Sequence, residues 1–221
     1  MRPVVFLNFK SYPQAAGKKG LKLAQIALEV AKEYDVEIYI APQLVDTSML
    51  SYSGVPVFAQ HCDPMVGNGG TGKIGVDTLE MIGAKGLLIN HSEYPQTVGE
   101  ILFLVGEAKR RGLKSLVCIP DEHLLYDLKD STPDFLAVEP PELIGGNISV
   151  SAAKPELLTS VFEFVASSMR STRRVCGAGI KSGEDVRKAR VLGAEGVLVS
   201  SGFVLADDPK SALEDLATGF G

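Results

Sequence analysis

Four short fragments, Asn8-Phe9-Lys10, His91-Ser92-Glu93, Glu139-Pro140 and Ser200-Ser201-Gly202, each lie at the end of an apolar run. An ammonium, an imidazole and a carboxylate gathered at one pocket make a proton-transfer set. The carboxylate takes a proton from carbon, and the other two groups stabilise the charge that appears on oxygen. Such a gathering requires a fold that brings the ends of distant strands together. A closed barrel of parallel strands does this at its C-terminal face.

Each fragment also has a plainer reading. Lys10 at a strand end is compatible with an ordinary solvated lysine. Asn8 stands two positions earlier, on the same side of an extended chain, so both can face one pocket. His91 follows an apolar strand, a place where a structural histidine is common. Ser92, Glu93 and a helical stretch follow it at once, and amide N–H groups at a helix start disfavour imidazolium. A neutral His91 can donate a hydrogen bond to a carbonyl oxygen. Glu139 ends a buried run, where desolvation penalises its charge. Either a salt bridge or a general base accounts for it. The following segment is stiffened by Pro140 and Pro141 and freed by Gly145 and Gly146, with Leu143 and Ile144 between, and reads as a lid moving as a unit. In the last quarter, Cys176-Gly177-Ala178-Gly179-Ile180-Lys181-Ser182-Gly183 and Ser200-Ser201-Gly202-Phe203 place small residues after the last two strands, with a short helix start behind them. Backbone N–H groups there can approach a phosphate. His61-Cys62-Asp63 has metal-ligand composition, but no second cluster completes a site, so no metal is expected.

The elements that must position these residues alternate. Strand-like runs occur at 4–9, 37–41, 57–60, 86–90, 115–119, 135–138, 174–176 and 196–199. Most are continuously apolar, as parallel strands covered on both faces are. Amphipathic helices are expected at 18–34, 97–112, 154–169 and 183–192, with Gly112 and Gly193 as stops, and shorter ones at 43–53, 77–84, 121–128 and 209–218. Eight strands and eight helices in alternation predict a parallel sheet with right-handed crossovers. No Gly-x-Gly-x-x-Gly follows the first strand and no shift in composition marks a second domain. These features favour one (β/α)8 TIM barrel over residues 1–221 rather than an open dinucleotide-binding sheet. At 221 residues the chain is shorter than the about 250 typical of such barrels, so its helices must be short or partly missing.

Bulk properties exclude other classes. With 45% apolar residues the chain can fill a core, yet no run approaches the roughly 18 apolar residues of a membrane span. A net charge of −5 with dispersed basic residues argues against a nucleic-acid partner. Three widely spaced cysteines suggest a reducing compartment without a disulfide framework. The N-terminus enters a strand within a few residues, so the protein reads as mature and cytoplasmic. The loop at 65–75 carries Gly67, Gly69, Gly70, Gly72 and Gly75 and is long for a strand-to-helix connection.

The fragments resemble those of the triosephosphate isomerase family. Asn8-Phe9-Lys10 resembles its first-strand Asn-x-Lys, Asn90-His91-Ser92-Glu93 its Gly-His-Ser-Glu with Asn for Gly, and Glu139-Pro140 its Glu-Pro at the root of the lid. Ile144-Gly145 resembles the lid's Ile-Gly, Thr71-Gly72 the third loop's Thr-Gly, and Cys118 the cysteine after strand five. The resemblance implies interconversion of dihydroxyacetone phosphate and glyceraldehyde 3-phosphate without metal or organic cofactor. It implies Glu139 as the base, His91 as the neutral electrophile, Lys10 as the electrostatic partner and Asn8 as a positioning group. It also implies substrate contacts from Asn8, Phe9, Lys10, Ile144, Gly145, Gly179, Ser200 and Ser201. Pro141-Glu142 replaces the usual lid tryptophan, Tyr94 and Lys73 replace an arginine and a glutamate, Gly179 replaces a serine, and Ser200-Ser201 replace two glycines. These departures resemble the compact archaeal branch, whose members tend to be tetramers, with loop 65–75 reaching a neighbouring subunit. Two other readings of the residues are a different phosphosugar barrel, such as phosphoribosylanthranilate isomerase, and a non-catalytic barrel that binds a phosphorylated metabolite.

Overall fold

All five residues of Val4–Asn8 are buried, because this strand, β1, is hydrogen-bonded on both edges and covered on both faces. A computed structural model describes residues 2–67, 69–143 and 149–221. The remaining strands are β2 (Glu37–Ala41), β3 (Phe58–Ala59), β4 (Gly86–Ile89), β5 (Lys114–Ile119), β6 (Phe135–Val138), β7 (Arg173–Cys176) and β8 (Gly196–Val199). Their order is β2-β1-β8-β7-β6-β5-β4-β3, and every pairing is parallel. The two ends of that order meet. Ile40 bridges Val57 in parallel, and the Ile40 N–H donates to the Pro56 carbonyl at 3.1 Å. The sheet therefore closes into the expected (β/α)8 barrel.

The helices are α1 (Lys18–Glu33), α2 (Thr47–Leu50), α3 (Val76–Met81), α4 (Val98–Arg110), α5 (Leu125–Leu128), α6 (Val150–Ala153), α7 (Pro155–Ser168), α8 (Gly183–Val191), α9 (Ser201–Val204) and α10 (Pro209–Thr218). Helix α1 buries Leu23, Ala24, Ala27 and Val30 on one face, the spacing of a half-buried helix. Thr97 caps α4 by a reciprocal exchange with Glu100, and Ser182 and Asp185 do the same for α8. Each satisfies amide donors that a helix start leaves open.

Expectation and structure differ where elements are short. The helix expected at 43–53 is a 3₁₀ turn, Leu44–Asp46, followed by the single turn α2. The helix expected at 121–128 shrinks to α5. The strand expected at 57–60 pairs only over Phe58–Ala59, because its other edge lies at the seam, where one bridge holds it. The single turn α6 precedes α7 where no separate helix was expected, and α9 starts directly after β8.

Successive strand residues alternate between two cores. Val5, Leu7 and Phe9 pack outward against the helices. Val4 and Phe6 point inward with Tyr39, Phe58, Phe135 and Leu198. The Phe6 ring lies 5.2 Å from Tyr39, 5.2 Å from Phe58 and 4.9 Å from Phe135. This aromatic plug fills the lower barrel and leaves the upper mouth open to a cleft. Phe6→Ala is expected to lower stability by about 3–5 kcal/mol, read as an earlier urea unfolding midpoint.

Candidate active site

The same two-residue period carries the site. On β1 the inward row Val4, Phe6 continues to Asn8, and on β6 the inward row Phe135, Ala137 continues to Glu139. On β8, Leu198 is followed two residues later by Ser200. His91 stands two residues past the end of β4. Asn8, Lys10, Tyr12, His91, Glu139, Gly179, Ser200 and Ser201 line one cleft at the C-terminal mouth. The ammonium, imidazole and carboxylate singled out from the sequence are thus brought together. A second cavity of about 480 Å³ adjoins it across Asn8, Lys10, Tyr12 and His91 and extends to Gln60, His61, Glu93 and Tyr94.

Glu139 is 2% exposed. Burial pushes its carboxyl up from 4.5 to about 8, against the opposing pull of a hydrogen bond from the Cys118 thiol and of the Lys10 charge, while Glu93 raises it further. One of its oxygens, Oε2, has no hydrogen-bond partner among the described residues. Its inward position depends on Gly177. A Cβ at that residue would lie 2.4 Å from Glu139 Cγ, well inside van der Waals contact.

His91 is held neutral. Burial is the main cause, the Lys10 charge adds to it and Glu93 opposes it; together they bring the imidazole down to about 4. The Glu93 N–H donates to His91 Nδ1 at 3.2 Å, so the proton of the neutral ring belongs on Nε2. That Nε2 lies 3.6 Å from Glu139 Oε1 and 3.5 Å from Asn8 Nδ2. Asn8 is oriented in the same manner, because its Oδ1 accepts from the Lys10 N–H at 3.0 Å. Two N–H donors therefore converge on one space without bonding each other, a ready receptor for one oxygen atom.

Lys10 has φ +44°, a left-handed conformation uncommon for a residue with a side chain. Asn8 Oδ1 holds its N–H, and Gln60 Nε2 donates to its carbonyl at 2.9 Å. Its ammonium lies 2.9 Å from Glu93 Oε1, with the lysine side chain 15% and the glutamate side chain 57% exposed. The partner is well solvated, so the lysine charge stays available to a ligand in the cleft.

Gly179, with φ +71°, and Ser200 and Ser201 line the same cleft. Ser200 Oγ is buried without a partner among the described residues. Phe9 departs from the expected set. Its side chain is buried in the outer core and stacks on Phe203 at 6.3 Å, because it is one residue out of phase with Asn8. Ile144 and Gly145, also expected at the substrate, lie outside the described residues. Ala178, Ile180 and Lys181, from the run after β7 expected to approach a phosphate, line the cleft too; the residues not anticipated are Tyr12, which lies in a loop, and Gln60, which was read only as the end of a strand. His61, Cys62 and Asp63 work on the following loop. Asp63 accepts from Lys73 Nζ at 2.8 Å and from the Ile74 N–H at 2.7 Å. Among the described residues no group of three or more His, Cys, Asp or Glu side chains is gathered in a way that would hold a metal ion.

A family model described as triosephosphate isomerase matches residues 3–217. The chain is 44% identical over 218 residues to a triosephosphate isomerase of Methanothermus fervidus, covering 98% of each chain. It is 42% identical to a triosephosphate isomerase of Methanothermobacter thermautotrophicus, with 98% of this chain and 95% of the relative covered. With one of Archaeoglobus fulgidus it shares 42% identity over 96% of each. Matched along nearly its whole length, the chain belongs to the triosephosphate isomerase family.

Proposed function

We propose that the chain interconverts dihydroxyacetone phosphate and D-glyceraldehyde 3-phosphate through an enediolate, as a single barrel domain. The observation that carries this reading is the convergence of Lys10, His91 and Glu139 on one cleft in a member of this family. Glu139 removes a proton from the carbon next to the carbonyl. The negative charge moves to oxygen, where His91 Nε2–H, Asn8 Nδ2–H and the Lys10 ammonium receive it. The hydroxyl proton then passes from one oxygen to the other by way of His91 Nε2, and the same carboxyl returns its proton to the neighbouring carbon, so the atoms balance without any further reactant. Burial supports the role of Glu139, since a carboxylate stripped of water is a stronger base. Gly179, Ser200 and Ser201 supply N–H groups to the phosphate, and the Ser200 hydroxyl is a further donor in want of an acceptor. Side chains alone supply acid and base, so no metal or organic cofactor enters the scheme.

Assembly and location belong to the same reading. Leu102 and Phe103 on α4 and Tyr126 on α5 are large apolar side chains left exposed, and Tyr126 meets Phe164 of α7 edge to face at 5.3 Å. These three helices follow one another around the barrel, and an apolar strip across them suits contact between copies in a tetramer. The loop at 65–75 rises from a base pinned by Asp63, and the cavity beside Lys10 and Tyr94 suits the same loop of a neighbouring subunit. A cytoplasmic location fits three free, buried cysteines and the absence, among the described residues, of a helix long and apolar enough to cross a membrane.

Glu139→Gln should lower kcat by about 10²- to 10⁴-fold and stop exchange of substrate carbon-bound protons with deuterated water, followed by NMR. Binding of a phosphate-bearing inhibitor should persist, and a near-normal rate would remove Glu139 as the base. The same variant has a thermal signature. Between pH 4.5 and about 8 the folded chain holds a proton on Glu139 that the unfolded chain has released. The native state therefore loses stability as pH rises through that window. Thermal unfolding should show the Gln variant gaining on the parent from pH 5 to pH 8. Replacing Leu102 and Phe103 together by Asp should convert a tetramer into smaller species by light scattering, and an unchanged mass would dismiss the α4 surface.

A further inference from the structure

Asn90 and Gln96 bracket the five residues that carry His91 and Glu93, and their bonding is unusually complete. The Asn90 N–H donates to Gln96 Oε1 at 2.8 Å, and the Gln96 N–H donates to Asn90 Oδ1 at 2.9 Å. The two amides thereby close residues 91–95 into a ring. Each has one group left and uses it on a different part of the chain, β5 for Asn90 and the loop after β3 for Gln96. Asn90 Nδ2 donates to the Cys118 carbonyl at 2.9 Å, and Gln96 Nε2 donates to the Cys62 carbonyl at 3.2 Å. All four side-chain polar atoms are satisfied, which is the condition for a polar network to rigidify its surroundings.

The ring acts on the chemistry through the backbone. Asn90 adopts φ +60°, a conformation that asparagine tolerates better than most side chains. The turn it starts sets the Glu93 N–H against His91 Nδ1 and the Tyr94 N–H against the His91 carbonyl at 2.7 Å. The first of these contacts decides which imidazole nitrogen carries the proton. The two outward bonds tie this turn to its neighbours. Cys118 is the residue whose thiol bonds Glu139, and Cys62 precedes Asp63, which anchors the loop that ends at Gly75.

We propose that Asn90 and Gln96 form an amide clamp, a pair of positioning residues that fixes the tautomer and place of His91 and registers the 62–75 loop against it. The proposal rests on the isomerase reading given above for His91. Neither residue lines the cleft, so they act on the chemistry through the groups they position, His91 first among them.

The test uses Gln96→Met, which keeps the length and loses the bonds, Asn90→Gly, which keeps the left-handed turn and loses the amide, the double variant, and His91→Gln. Each single clamp variant should lower kcat by about 10- to 100-fold, as small misplacements of reacting groups do, with KM within about threefold of the parent. The double variant should lose about as much as either single one, since the two residues act as a unit. Nitrogen NMR of His91 should show the proton confined to Nε2 in the parent and shared with Nδ1 in both variants. Parent-like kcat and an unchanged His91 spectrum in the single variants, with His91→Gln inactive, would overturn the clamp and leave the isomerase reading standing. An active His91→Gln would overturn the role of His91 and the clamp with it. If either single variant fails to fold, the other carries the rate test. Loss of kcat with the tautomer unchanged would also sink the proposal.

Discussion

The site depends on taking one carboxylate out of water. Glu139 stands at the head of an inward-facing row whose lower members are Phe135 and Ala137, and the aromatic plug fills the barrel beneath it. Desolvation raises its proton affinity, and the Cys118 thiol and the Lys10 charge offset only part of that rise. The same dryness acts on His91 with the opposite sign, lowering its proton affinity. One environment thus produces a proton-hungry carboxyl and an imidazole that stays uncharged. Two adjacent groups are pushed apart in basicity without any ion pair between them.

Such an environment is costly, and the surrounding structure is arranged to sustain it. Gly177 leaves room for Glu139 where any side chain would collide. Asn8 spends its carbonyl oxygen on the Lys10 backbone, which both stabilises an uncommon turn and aims the amide N–H into the cleft. Lys10 shares its charge with a carboxylate that remains largely in solvent, where screening keeps the pair weak. Glu139 Oε2 and Ser200 Oγ, without partners among the described residues, both belong to residues lining the cleft. An unmet buried group costs about 1–3 kcal/mol, and both are placed where a ligand can meet that need.

Much of the fold was legible in the sequence because its signals are local. Continuous apolar runs such as 135–138 and 196–199 coincide with β6 and β8, since a strand covered on both faces has no polar side to show. The long helices were legible from their spacing, and Gly112 and Gly193 fall where two of them stop. The short elements were not. Residues 43–53 and 121–128 have helical composition, but each is confined by tight connections to a single α-helical turn. The third strand is cut to two residues by its place at the seam, a property of closure that no local pattern records.

The site divides along the same line. By residue type and position the sequence determined that Asn8, Lys10, His91 and Glu139 end their strands, and period-two alternation followed along the chain assigns Asn8 and Glu139 to the interior. The same alternation sends Phe9 outward to Phe203, although it stands inside the motif that named it. What only the tertiary structure decided is the environment: how dry Glu139 is, which nitrogen of His91 carries its proton, and which distant residues, Cys118, Gly177 and Gln60 among them, bear on these groups. Proton affinity and hydrogen-bond direction are set by neighbours within a few ångströms, and in a closed barrel those neighbours come from every part of the chain.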